Sequence, residues 1–130
     1  MELNTFVGDC YVASHNGDVT CEDAAAILRK AGDAQRILIA GPATVTAEAA
    51  KVFADSEICL LGNESQTIGP KDAPMQVHKI LLEREVALLE GVVLTDVTEG
   101  HYYLSAAPLC LTGADGAPCR AYLIECPADK

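Results

Sequence analysis

Glu90 is the one ionisable group inside the apolar run Val86–Leu94, VALLEGVVL. A carboxylate buried in such a run without compensation is costly, so it calls for a partner, a proton or a cation. The plain alternative is a Glu at a strand end that reaches solvent, with Gly91 allowing a bulge beside it. His78 stands twelve residues earlier, in a segment that reads as a helix. One imidazole and one carboxylate suit a divalent ion such as zinc or manganese. Two donors seldom complete a site, however, and a lone histidine on a short helix is commonly a partly exposed or satisfied one.

The remaining chemistry-bearing residues offer less. His15 borders the turn signal Asn16-Gly17-Asp18, and His101 follows Glu99-Gly100 in what reads as another turn. Solvated turn histidines are far commoner than ligands. The six cysteines (Cys10, Cys21, Cys59, Cys110, Cys119 and Cys126) contain no C-x-x-C pair. Zinc ribbons need such close pairs, so all six read as structural and reduced. Cys59, inside Ile58-Cys59-Leu60-Leu61, reads as a small hydrophobe. There is no G-x-S-x-G elbow, P-loop, G-x-G-x-x-G or H-E-x-x-H, and nothing supports an autonomous nucleophilic triad.

The elements that must carry these residues alternate between strand and helix. A strand is expected around Thr5-Phe6-Val7, broken at Gly8. Thr20 is a plausible N-cap for a helix that runs through Ala24–Lys30 and stops at Gly32. Arg36–Ala40 reads as a buried strand ended by Gly41-Pro42. Thr46 caps a second helix from Ala47 to about Asp55, with Ala49, Ala50, Phe53 and Ala54 as its apolar face. Ile58–Leu61 is another buried strand, closed by Gly62, and a long polar loop occupies Asn63–Met75. A third helix spans about Pro74–Glu83, with Val77, Ile80 and Leu81 inward. Val86–Leu94 reads as a strand buried on both faces, Tyr102–Ala106 as a further strand, and Cys119–Glu125 as the last, after a turn at Asp115-Gly116. The expectation is an α/β fold with about three helices and six or seven strands.

Composition bounds the function. With 130 residues the chain is read as one domain, and half its residues are apolar. A formal charge of -10 with nine Lys and Arg argues against nucleic acid. The longest apolar stretch is too short to span a bilayer, and Met1-Glu2-Leu3-Asn4 has neither a basic nor an apolar leader region, so a cytoplasmic location is expected.

Three stretches carry a resemblance: the loop ending Ala73-Pro74-Met75 before Val77-His78-Lys79; Leu89-Glu90-Gly91; and Gly113-Ala114-Asp115-Gly116-Ala117-Pro118-Cys119-Arg120. In this order and spacing, the region from about Gly62 onward resembles the C-terminal part of the cyclase family. That family contains kynurenine formamidases and related amide and ring-opening hydrolases. The likeness implies a swivelling β/β/α type of fold, with helices packed on a mixed, partly curled β-sheet. It places two family metal positions on His78 and Glu90. The family's N-terminal motif, H-x-G-T-H-x-D-x-P-x-H, brings most of its metal ligands and a histidine acting as general acid or base. No such string occurs in these 130 residues.

The resemblance thus implies a single domain over 1–130, N-terminally shortened relative to the family. In the family mechanism a metal-held water attacks a carbonyl that the metal polarises, which demands at least three protein ligands per catalytic ion and a proton-transfer group. The implied function is a metal-dependent hydrolase of C–N bonds, arylformamidase-like, active when a separate chain provides the missing motif. The alternative is a non-catalytic oligomeric binding or structural module on the same fold. A homo-oligomer is expected, because surfaces normally covered by the absent segment tend to be re-covered by association. Ser65 and Gln66, in the polar loop before the His78 helix, are candidates to line the substrate pocket; no catalytic residue is assigned.

Overall fold

The computed structural model describes residues 3–107 and 119–125. Its helices start where capping chemistry sets them. Before α1 (Cys21–Ala31), the Thr20 hydroxyl accepts from the Asp23 N–H at 3.2 Å, while the Asp23 carboxylate accepts from the Thr20 N–H at 3.0 Å. This reciprocal box satisfies two N–H groups that the helix cannot. Gly32, at φ 61°, ends it. Thr46 caps α2 (Ala47–Ala54), which buries the expected Ala49, Ala50, Phe53 and Ala54. α3 (Pro74–Glu83) begins with a proline, where a missing N–H costs nothing, and buries Val77 and Leu81.

Eight strands accompany them among the described residues: β1 (Val7–Ser14), β2 (Gly17–Val19), β3 (Arg36–Ala40), β4 (Ala43–Val45), β5 (Leu60–Asn63), β6 (Ala87–Leu89), β7 (Gly100–Ser105) and β8 (Tyr122–Glu125). The main sheet is mixed and six-stranded, in the order β6-β5-β3-β1-β7-β8; β2 and β4 form a separate parallel pair. β1, β3, β5 and β6 are parallel, and β7 and β8 continue antiparallel. This order advances steadily in one direction, so right-handed crossovers put every connecting helix on the same face. The core agrees. Ile37 and Ile39 of β3 share one cluster with the buried residues of α1, α2 and α3, whereas Leu38 and Ala40 point into a second cluster behind the sheet. The expected α/β class, mixed sheet and trio of helices are all present.

Several boundaries differ from the sequence reading, each for a visible reason. The first strand does not break at Gly8; a 3-10 turn over Leu3–Thr5 precedes β1, which runs straight through that glycine. Gly8 serves a close approach instead, since a Cβ there would lie 2.5 Å from the Arg36 guanidinium carbon. β5 starts later than expected and continues through Gly62, which packs beneath Leu38 and Leu89. The largest difference concerns Val86–Leu94, where only Ala87–Leu89 pair as a strand. Gly91 adopts φ 73°, the chain turns off the sheet edge, and Val93 is 81% exposed. His101 lies on β7 and not in a turn, its Nε2 3.2 Å from the Lys30 carbonyl oxygen. The last strand is shorter than Cys119–Glu125, and the Asp115-Gly116 turn lies outside the described residues. Cys10, Cys21, Cys59 and Cys119 are free thiols; Cys110 and Cys126 lie outside the described residues.

No helix among the described residues is long and apolar enough to cross a membrane.

Candidate functional site

The loops that follow β3, β5 and β6 meet at the carboxyl ends of the parallel strands, the usual location for ligand sites on such sheets. Glu90 is the first residue beyond β6. Strand alternation decides where it points. Ala87 and Leu89 join the cluster behind the sheet, and Leu88 packs with the cluster on the helix side. Glu90 therefore follows Leu88 toward α3. There Glu90 Oε2 lies 3.0 Å from His78 Nε2. The two residues singled out from the sequence are brought together.

The contact is framed by the loop between β5 and α3. The backbone N–H of Ile68, a fully buried residue, donates to Glu90 Oε2 at 2.9 Å. Thr67 Oγ1 stands 3.2 Å from His78 Nε2. With the carboxylate ionised, Nε2 carries the proton and donates to Glu90. The pair is partly shielded, with side-chain exposures of 24% for His78 and 30% for Glu90. Glu90 thus combines both sequence readings: it sits past a strand end with Gly91 turning beside it, and it is also paired.

Donor chemistry can be tested against a metal. Two donors held by one zinc ion at about 2.1 Å stand about 3.4 Å apart at the tetrahedral angle. The observed 3.0 Å is a small adjustment away from that bite. Among the described residues, however, no group of three His, Cys, Asp or Glu side chains converges where it would hold an ion. The described residues therefore fit part of a metal site and do not by themselves fit a resident catalytic ion.

The other candidates fall as follows. The Ser65 hydroxyl donates to the Ala43 carbonyl at 3.4 Å, and its own carbonyl accepts from the Gly91 N–H at 2.8 Å. Gln66 is exposed on the same loop. His15 lies away from the pair, its Nε2 2.8 Å from the Asp18 carbonyl oxygen and 3.6 Å from the Asp23 carboxylate. Glu90 also borders a cleft of about 800 Å³ that includes Leu38, Leu89, Val93, Leu104 and Arg120 in its lining.

Sequence reasoning missed Glu64, Thr67 and the Ile68 N–H. Glu64 follows β5 directly, and its carboxylate accepts from the Gly41 N–H at 2.7 Å and the Leu94 N–H at 2.5 Å. An acid just beyond a buried strand was a readable signal, but its partners come from other crossovers.

Comparison with known proteins gives a consistent picture. No protein-family model matches the chain. A kynurenine formamidase of Erythrobacter litoralis is 32% identical over 140 aligned positions, covering 98% of this chain and 64% of that protein. A kynurenine formamidase of Salinibacter ruber is 40% identical over 76 positions, 58% of this chain and 36% of that protein. The chain thus spans less than two thirds of the length of these curated relatives. A solved structure described as a potential metal-dependent hydrolase with cyclase activity superposes with a TM-score of 0.81 at 31% identity, covering 94% of this chain and 67% of that one. Fold and sequence lead to one conclusion: the chain belongs to the cyclase family, the kynurenine formamidase-like metal-dependent hydrolases.

Proposed function

We propose that this chain is one part of a metal-dependent amide hydrolase of the kynurenine formamidase type. In this reading His78 and Glu90 are two ligands of a zinc or manganese ion. The remaining ligands and the proton-transfer group come from a segment like the family's N-terminal motif, which these 130 residues do not contain. The single observation that supports it most is the 3.0 Å approach of His78 Nε2 and Glu90 Oε2 at the carboxyl end of the sheet. Ser65 and Gln66 lie on the loop beside this pair and are proposed to border the substrate. The test is to purify the chain alone and together with proteins encoded beside it, then measure zinc and manganese content and formamidase activity. The reading expects metal and turnover in the composite, with both lost in His78→Ala and in Glu90→Ala. A composite without either would sink it.

A second reading is a non-catalytic, homo-oligomeric module on the same fold. Its support is that Glu90 Oε2 already has two protein partners, His78 Nε2 at 3.0 Å and the Ile68 N–H at 2.9 Å. Tyr103, Tyr122 and Ile124 are also exposed, on β7 and the edge strand β8. Light scattering at micromolar concentration distinguishes an oligomer from a monomer, and a monomer counts against this reading.

A further inference from the structure

The loop that begins with Glu90 is held by three consecutive residues at the end of β5. Gly91 donates to the Ser65 carbonyl at 2.8 Å and Val92 to the Asn63 carbonyl at 3.2 Å. The third tie differs, because Leu94 donates at 2.5 Å to a side chain, the Glu64 carboxylate. The other oxygen of that carboxylate takes the Gly41 N–H from the loop after β3, at 2.7 Å. Glu64 is therefore the one side chain among these ties that joins the crossovers after β3, β5 and β6. Its neighbour Asn63, fully buried, donates to the Ala43 and Thr67 carbonyls at 3.2 and 3.3 Å. Thr67 and the adjacent Ile68 N–H are in turn what touch His78 and Glu90.

We propose that Glu64 is a positioning residue for the His78–Glu90 pair, setting the Glu90 loop through its two backbone N–H partners. This rests on the pair's being the functional site, as proposed above. The chemistry requires a carboxylate. Two N–H groups approach different oxygens of one side chain, and an amide offers one acceptor with a donor in the other position. Charge on the acceptor also makes both bonds shorter and stronger than neutral ones. Gly41 itself is fixed by its turn: it adopts φ 104°, and a Cβ there would lie 2.4 Å from the His15 carbonyl oxygen.

The test is nitrogen-15 NMR of the full chain in chelator-treated buffer, reading the His78 Nε2 resonance of the folded state. Wild type and Glu90→Ala mark the two ends of the scale. Glu64→Gln is expected to move Nε2 more than half of the way toward the Glu90→Ala value. Thr20→Ala, which weakens the fold at a distant helix cap, should leave the resonance in place. A Glu64→Gln protein that unfolds more easily but keeps the wild-type His78 signal overturns the proposal and leaves Glu64 a purely structural tie. If Glu64→Gln does not fold, Glu64→Asp, too short to reach both N–H groups, is read by the same criterion. No metal enters the measurement, so a failed metal assay and a failed positioning role are separate results.

Discussion

His78 Nε2 and Glu90 Oε2 share a 3.0 Å contact, yet their losses are unequal, because Glu90 also accepts from the buried Ile68 N–H. Removing His78 deletes a partly exposed ion pair or hydrogen bond, worth about 0.5–1 kcal/mol. Removing Glu90 strands a buried donor as well, which costs about 1–3 kcal/mol more. Urea denaturation should therefore rank Glu90→Ala clearly below His78→Ala. The double variant should recover about 0.5–1 kcal/mol relative to the sum of the two single losses. Equal losses would mean that the Ile68 bond contributes nothing.

Arg36 supports the opposite end of the sheet. It is 7% exposed and its guanidinium donates to the carbonyls of Asn4, Thr5 and Asp9, binding the first turn to β3. Arg36→Met should cost about 2–3 kcal/mol, since three part-buried carbonyls lose one charged donor together. Gly8→Ala should cost about 1–3 kcal/mol through the clash with the same guanidinium. Thermal melts of both single variants and of the pair check this. The pair should lose less than the sum, because one substitution removes what the other collides with.

The helices were legible in the sequence because their signals are local. Thr20 with Asp23, Thr46 with its alanine face, and Pro74 ahead of Val77 and Leu81 each lie within one or two turns. The run after Val86 was misread because an unbroken apolar stretch has no period. Ala87 and Leu89 are strand residues, but Leu94 reaches the same cluster from a loop. β2 and β4, three residues each, were too short to carry a pattern. Glu64 escaped notice because its partners lie 23 and 30 residues away, a relation set by strand order. His78 and Glu90 were weak by spacing, and family resemblance drew them forward.

The cap of α1 should respond to acid. The Thr20 backbone N–H, and then its hydroxyl, hold the Asp23 carboxyl below the ordinary carboxylate range, with His15 adding a smaller pull in the same direction. A carboxyl with a depressed folded pKa stabilises fully above its unfolded value, near about pH 3.9, and loses that stabilisation as pH falls through the folded value. Urea midpoints of wild type and Asp23→Asn should thus differ at neutral pH and converge below about pH 4. A constant gap across that range would exclude this cap as its source.

Thiol reactivity should separate Cys10 from Cys21. Cys10 is fully buried on β1, and burial pushes its thiol up to about 12, against a smaller opposing pull from Arg36. At pH 8 only about one such thiol in ten thousand is a thiolate, the reactive form. Cys21, at the first position of α1, is exposed. Iodoacetamide followed by peptide mass mapping should label Cys21 within minutes in the native protein. Cys10 should be labelled only when urea opens the sheet. Rapid native labelling of Cys10 would show that β1 separates from its neighbours without global unfolding, contrary to its central place between β3 and β7.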